Sequence, residues 1–206
     1  MTKIKICGIT NMIDALAAAE LGVDMLGFVF YNKSKRYVEA KTVRGIVNEL
    51  PGSILKVGVF VNEERDKVLD IAADLSLDIL QLHGDETPEY CALLKGEYKV
   101  MKAFRIKDKT SLRSVNDYIV DYYLFDTYQK SSAGGTGEIF DWELLKDFEV
   151  LKPFILSGGL DPDNVGKAIL EVAPYGVDVS SGIESSPGKK DIGLLKKFVT
   201  NLRRLD

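Results

Sequence analysis

Short apolar, β-branched runs recur along the chain, and between them apolar residues return every three or four positions. The runs predict strands at Ile4–Cys7, Met25–Phe30, Leu55–Val61, Ile79–Leu82, Lys99–Phe104, Tyr122–Asp126, Pro153–Leu156 and Val177–Ser180. Helical spacing appears in Ile13, Leu16, Ala17 and Leu21, in Val43, Ile46, Val47 and Leu50, and in Val68, Leu69, Ile71, Ala72 and Leu75. It returns in Val165, Ala168, Ile169 and Val172, and in Leu194, Leu195, Phe198, Val199 and Leu202 at the end of the chain. Asn11, Thr87 and Asp161 are placed to cap helices, and Pro88 and Pro162 suit a first turn. Gly22 and Gly96 suit exits, and Pro51-Gly52 is a stop.

Strands separated by helices run parallel with right-handed crossovers. Eight strand–helix units of about 26 residues each close naturally into a (β/α)8 barrel near the small end of its size range. An open doubly wound sheet also fits the alternation. No Gly-x-Gly-x-x-Gly follows the first strand, which takes support from the dinucleotide-binding version. No linker or shift in composition marks a boundary, so the expectation is one α/β barrel domain with eight parallel strands over residues 1–206.

Composition narrows the setting. The chain has 206 residues, 46% hydrophobic and 28% charged, which is ordinary for a globular protein. A net charge of −4 argues against general affinity for nucleic acid, so an anionic ligand needs local groups to hold it. Two cysteines far apart do not suggest a disulfide framework. No secretory leader pattern opens the chain, and no apolar run approaches the ~20 residues that span a bilayer. The expectation is a cytoplasmic protein without membrane contact.

The candidate chemistry gathers where strands end. Lys3-Ile4-Lys5-Ile6-Cys7-Gly8 puts a thiol at a strand end, where the chain turns over Gly8 toward a helix. In parallel α/β folds that end carries the active site. Cys7 fits either a small buried hydrophobe or a reactive thiol, and a nearby helix N-terminus would favour its thiolate. Cys91 sits mid-helix among apolar neighbours and fits the first description. Asp126 ends an apolar strand, where partial desolvation would raise its pKa and suit it to donate a proton; a solvated or capping aspartate is the plainer option.

Ser157-Gly158-Gly159 and Ser180-Ser181-Gly182 follow the seventh and eighth strands. Either alone is an ordinary turn, but together they suit a phosphate, because glycine lets backbone N–H groups come close. Arg36, in a basic cluster after the second strand, could fork onto a carboxylate or simply be solvated. His83 is the only histidine, which rules out a two- or three-histidine metal site, and it either lines the pocket or is structural. Gly134-Gly135-Thr136-Gly137 lacks the P-loop ending and suits a lid.

These residues resemble the phosphoribosylanthranilate isomerase family of tryptophan biosynthesis. The resemblance is carried by Lys5-Ile6-Cys7-Gly8-Ile9-Thr10, Gly27-Phe28-Val29-Phe30, Ser34-Lys35-Arg36-Tyr37, Val57-Gly58-Val59-Phe60-Val61-Asn62 and Gln81-Leu82-His83-Gly84. Leu156-Ser157-Gly158-Gly159-Leu160 and Val177-Asp178-Val179-Ser180-Ser181-Gly182-Ile183-Glu184 complete it. It runs in order over essentially the whole chain, with Phe125 before Asp126 as a conservative variation.

The resemblance implies a metal-free, cofactor-free Amadori rearrangement of a sugar-phosphate substrate by a monomer or homodimer. It makes Cys7 the general base and Asp126 the general acid, with Arg36 on the anthranilate carboxylate. Gly158, Gly159, Ser180 and Ser181 would hold the phosphate, with His83 and Asp178 completing the substrate-binding set. A histidine-pathway isomerase would want an aspartate in place of Cys7, and a metal-dependent epimerase would want more histidines. A non-catalytic phosphate sensor would have no use for a thiol and a carboxyl group in the pocket.

Overall fold

The computed structural model describes residues 1–127, 143–146 and 148–205. Eight parallel strands form a closed barrel in chain order: β1 (Lys3–Cys7), β2 (Met25–Val29), β3 (Leu55–Phe60), β4 (Ile79–Leu82), β5 (Lys99–Ile106), β6 (Tyr122–Thr127), β7 (Phe154–Ser157) and β8 (Gly176–Val179). Closure is direct, because Lys5 on β1 pairs with Met25 on one side and Asp178 on the other. Each expected strand is present, with ends displaced by a residue or two. The helices are α1 (Met12–Glu20), α2 (Ala40–Glu49), α3 (Arg65–Asp74), α4 (Pro88–Lys95), α5 (Glu143–Lys146), α6 (Val165–Val172) and α7 (Ile192–Arg203).

Alternation of side chains along each strand sorts the residues into two layers. One set points outward and packs under the helices, and includes Ile4, Ile6, Leu26, Phe28, Leu80, Leu82, Leu156 and Val177. The other set points into the barrel. Its lower part is a plug of Met25, Val57, Ile79, Met101, Ala103, Leu124 and Ile155. One step further along the strands the inward positions turn polar: Cys7, Gln81, Asp126, Ser157 and Asp178. The apolar plug supports the floor of a site at the carboxyl end.

Most local signals are fulfilled. The Asn11 side chain accepts from the Asp14 N–H at 2.9 Å, and Thr87 caps α4 with Pro88 in its first turn. Gly22 leaves α1 at φ +71°, a conformation that side chains resist. Gly96 differs, ending α4 in the right-handed region. Asp161 and Pro162 also differ. They form a turn ahead of α6, in which the Asp161 carboxylate accepts from the Asp163 and Asn164 N–H groups. The helix begins only at Val165.

Strict strand–helix alternation fails between β5 and β6, where two short 3-10 turns, Lys109–Leu112 and Val115–Asp117, replace an α-helix. The cause is local. Asp108 accepts from the Thr110 and Ser111 N–H groups, and such side-chain bonds compete with a helical backbone. A small antiparallel hairpin, β9 (Glu184–Ser186) with β10 (Lys189–Lys190), stands between β8 and α7 and was not expected.

Candidate active site

At the carboxyl end of the strands lies a cavity of about 690 Å³. Cys7, Arg36, His83, Asp126, Gly158, Gly159, Asp178, Ser180 and Ser181 all line it. Every residue singled out from the sequence as a site candidate therefore meets the others here. The Gly134–Gly137 segment proposed as a lid lies outside the described residues.

Cys7 ends β1 as a half-buried thiol. Gly8 follows at φ +75°, and a Cβ on it would lie 2.5 Å from Arg36 Cδ, so only glycine lets the chain turn here beneath the arginine. On β2, a Cβ on Gly27 would lie 3.0 Å from Cys7 Sγ and 3.1 Å from Lys5 Nζ. The missing side chain makes the room in which thiol and ammonium sit. Burial pushes the Cys7 thiol up, while Lys5 and Lys190 pull against it. The first helix, α1, begins at Met12 with Asn11 as its cap.

Asp126 ends β6, three strands around the ring from β1. Its Oδ2 lies 3.1 Å from His83 Nε2, and His83 Nδ1 lies 2.8 Å from Gln81 Nε2. With Gln81 donating to Nδ1, the imidazole carries its proton on Nε2 and donates to the carboxylate. The histidine is a partner that the expectation of a partly desolvated strand-end carboxyl group did not include. Asp126 is about a third exposed (32%) and paired with a histidine.

Arg36 reaches the rim from the loop after β2. Its Nε and Nη2 donate to the two oxygens of Glu184 at 2.8 and 2.6 Å, which holds its charge firmly. Glu184 also accepts from Lys190 Nζ at 2.9 Å, and the same ammonium donates to the Cys7 carbonyl at 2.6 Å. Burial works against the Glu184 charge, but Arg36 and Lys190 outweigh it and hold the carboxyl below its usual range. The unexpected hairpin therefore ties Arg36 to the end of β1.

Gly158 and Gly159 adopt φ +93° and +63°, turning backbone toward the cavity. Opposite them, Ser180 Oγ is buried without a partner among the described residues. The two loops touch closely enough that a Cβ on Gly182 would collide with the Leu160 carbonyl oxygen. Asp178 is not an open carboxylate. Its Oδ1 accepts from Lys5 Nζ at 2.9 Å, and its Oδ2 accepts from Ser157 Oγ at 3.4 Å.

Sequence reasoning missed Lys5, Glu184, Lys190, Arg105 and Lys107, the last two also lining the cavity. Strand alternation held a usable signal for two of them: Lys5 shares the face of Cys7, and Arg105 pairs in register with Asp126. Among the described residues, no group of three or more His, Cys, Asp or Glu side chains is arranged for a metal ion.

The model of the N-(5′-phosphoribosyl)anthranilate isomerase family matches residues 4–201. The chain belongs to this family. It is 50% identical over its whole length to the N-(5′-phosphoribosyl)anthranilate isomerase of Geobacter sp. (strain M21), all of which is covered. The crystal structure of phosphoribosyl anthranilate isomerase from Thermotoga maritima superposes with a TM-score of 0.92 at 44% identity, with both chains fully covered. A structure of a family enzyme in complex with reduced 1-(o-carboxyphenylamino)-1-deoxyribulose 5-phosphate gives 0.87 at 42% identity, again covering both chains. The chain is thus an isomerase of tryptophan biosynthesis, built on the family's barrel.

Proposed function

We propose that Cys7 and Asp126 carry the proton transfers by which this isomerase turns N-(5′-phosphoribosyl)anthranilate into 1-(2-carboxyphenylamino)-1-deoxyribulose 5-phosphate. The observation that supports the roles is their placement. A thiol and a carboxyl group stand on separate walls of one cavity, and the third wall is the paired glycine and serine loops.

The substrate carries a negative group at each end. Backbone N–H groups around Gly158 and Gly159, with the Ser180 and Ser181 hydroxyls, suit the phosphate. Arg36, held by Glu184 through Nε and Nη2, keeps Nη1 for the anthranilate carboxylate. Anchoring both ends fixes the ribose over the floor and removes much of the orientational cost of reaction.

Asp126, protonated, gives its proton to the ribose ring oxygen as the C1–O bond breaks. The substrate nitrogen supplies the electron pair and becomes a protonated imine. Asp126 is left as a carboxylate, to which His83 Nε2–H donates. The cationic imine acidifies the C2 proton. Its positive charge above Cys7 also opposes the effect of burial and favours the thiolate, which removes that proton. The C2–H electrons flow to nitrogen, and the resulting enolamine tautomerises to the ketone. General acid and base each contribute on the order of 10²–10⁴-fold.

The substrate partner is a small sugar phosphate, and every group assigned a role comes from a single chain, whether it works alone or as a pair in the cytoplasm. The deciding assay follows loss of anthranilate-type fluorescence with freshly made substrate, corrected for spontaneous hydrolysis. Rapid conversion by the parent with near-background conversion by a folded Cys7→Ala variant supports the assignment. Undiminished turnover in Cys7→Ala removes the thiol from its role.

A further inference from the structure

Directly below Cys7 lies an ionic pair that the mechanism leaves without a task. Lys5 precedes Cys7 by two positions on β1, so both side chains point into the barrel. Lys5 is fully buried, and its Nζ lies 2.9 Å from Asp178 Oδ1, itself buried. Its register partner on β2 is Met25, part of the apolar plug, so an apolar side chain would fit that layer. Taking an ammonium and a carboxylate out of water is costly, and a pair of this kind is weak support for stability. Its position supplies a better reason for it.

The charged groups facing Cys7 among the described residues come from four elements: Lys5 on β1, Asp178 on β8, Lys190 on β10 and Arg36 in the loop after β2. β2 faces the thiol with Gly27, which has no side chain. Arg36 and Lys190 are engaged by Glu184, and Lys190 also by backbone carbonyls. Lys5 is the strongest of the influences that favour the thiolate, and in return Cys7 and Asp178 help keep Lys5 charged against its burial.

We infer that Lys5 is a positioning residue for the isomerisation: its ammonium, anchored by Asp178 under the pocket floor, stabilises Cys7 as the thiolate that takes the C2 proton. The arrangement separates two tasks. Asp178 holds the ammonium in place and keeps the thiolate from forming a permanent pair with it. Removal of Asp178 would leave Lys5 with Cys7 as its adjacent counter-ion among the described residues. This inference rests on Cys7 being the base.

The test reads the thiolate of Cys7 directly, by its absorbance near 240 nm against pH in the substrate-free protein, with a folded Cys7→Ala variant as the blank. Cys91 does not interfere, because burial pushes its thiol up to about 12. Lys5→Met should move the midpoint up by about one pH unit or more, with kcat at neutral pH roughly tenfold lower and KM little changed. Asp178→Asn should move the midpoint down. This second variant keeps the inference open to refutation if Lys5→Met does not fold.

A midpoint unmoved or lowered in folded Lys5→Met, or raised in Asp178→Asn, overturns the role of Lys5. That failure is distinct from failure of the base assignment. The latter shows as turnover retained in Cys7→Ala, whatever the titration does.

Discussion

His83 Nε2 lies 3.1 Å from Asp126 Oδ2, so the carboxyl group proposed as the acid is hydrogen-bonded to the only histidine in the chain. Gln81, buried on β4, fixes the imidazole from the other side at 2.8 Å. The three side chains form a line from the barrel interior to the pocket, in which each donor is aimed by the one beneath it. Asp126→Asn should lose on the order of 10²–10⁴-fold in kcat, since an amide cannot give the proton. His83→Asn should lose roughly tenfold, because the carboxyl group stays but its orientation is no longer fixed. Both follow from steady-state kinetics on folded variants, and a His83→Asn enzyme with unchanged kcat would show that the contact is idle.

Gly27 faces Cys7 and Lys5 at once: a Cβ there would lie 3.0 Å from Cys7 Sγ and 3.1 Å from Lys5 Nζ, tighter than ordinary contact. Gly27→Ala adds one methyl group to a β-strand where the backbone itself is unstrained, so the fold should persist. The thiol and the ammonium must then each give by a few tenths of an ångström. A displacement at the reacting group is costly to catalysis out of proportion to its size, up to about 10²-fold for a shift near 1 Å. The expected outcome is a stable protein with kcat reduced ten- to a hundredfold and the Cys7 titration altered. Wild-type kcat in Gly27→Ala would mean that the fit around the thiol is looser than this geometry implies.

The barrel was legible because its signals are periodic. Alternating strands and helices, glycine exits and the Asn11 and Thr87 caps each depend on local chemistry. The proposed catalytic pair was legible because Cys7 and Asp126 stand at strand ends, where the topology sends all such ends to one face. The charges around them were not. Lys190 and Glu184 sit on a hairpin that no periodic pattern announces. Lys5 was hidden inside a strand read as apolar, although two lysines in Lys3–Cys7 alternate with Ile4 and Ile6. That alternation marks one face of β1 as polar, and Lys5 on it is buried inside the barrel. The missing helix after β5 shows the opposite case, in which Asp108 overrides the expected alternation through its own bonds to the following N–H groups.

Glu184 gives a pH dependence whose direction can be worked out. Its carboxyl is held below the usual value of 4.5 by Arg36 and Lys190 despite burial. A group whose folded pKa is depressed contributes stability that is fully present above its unfolded pKa. That contribution is lost as pH falls through the folded value. The wild type should therefore have a higher Tm than Glu184→Gln at neutral pH, and the gap should close as pH drops below about 4.5. Thermal melts of both proteins from neutral pH down to acid conditions make the comparison. A gap that stays constant across that range would contradict the linkage.

A second buried pair holds the loop that carries His83, and it has no part in the chemistry. Lys102 faces outward from β5, and its ammonium donates to Glu86 Oε2 at 2.8 Å, the Gly84 carbonyl at 2.7 Å and the Leu82 carbonyl at 3.3 Å. Glu86 in turn accepts from the backbone N–H of Asn62 at 2.8 Å and of Gly84 at about 3 Å. The two side chains thus bind β5, the loop after β4 and the loop after β3 into one unit. Lys102→Met strips the counter-ion from a buried carboxylate and should destabilise the protein by about 3–5 kcal/mol in urea unfolding. Replacing both charges, as Lys102→Met with Glu86→Leu, commonly recovers such a loss. Here it should recover only part, because the Asn62 and Gly84 N–H groups lose the acceptor that joins the two loops, at about 0.5–1.5 kcal/mol each. A double variant as stable as the wild type would show that those N–H groups find other partners and that the pair can be replaced by packing alone.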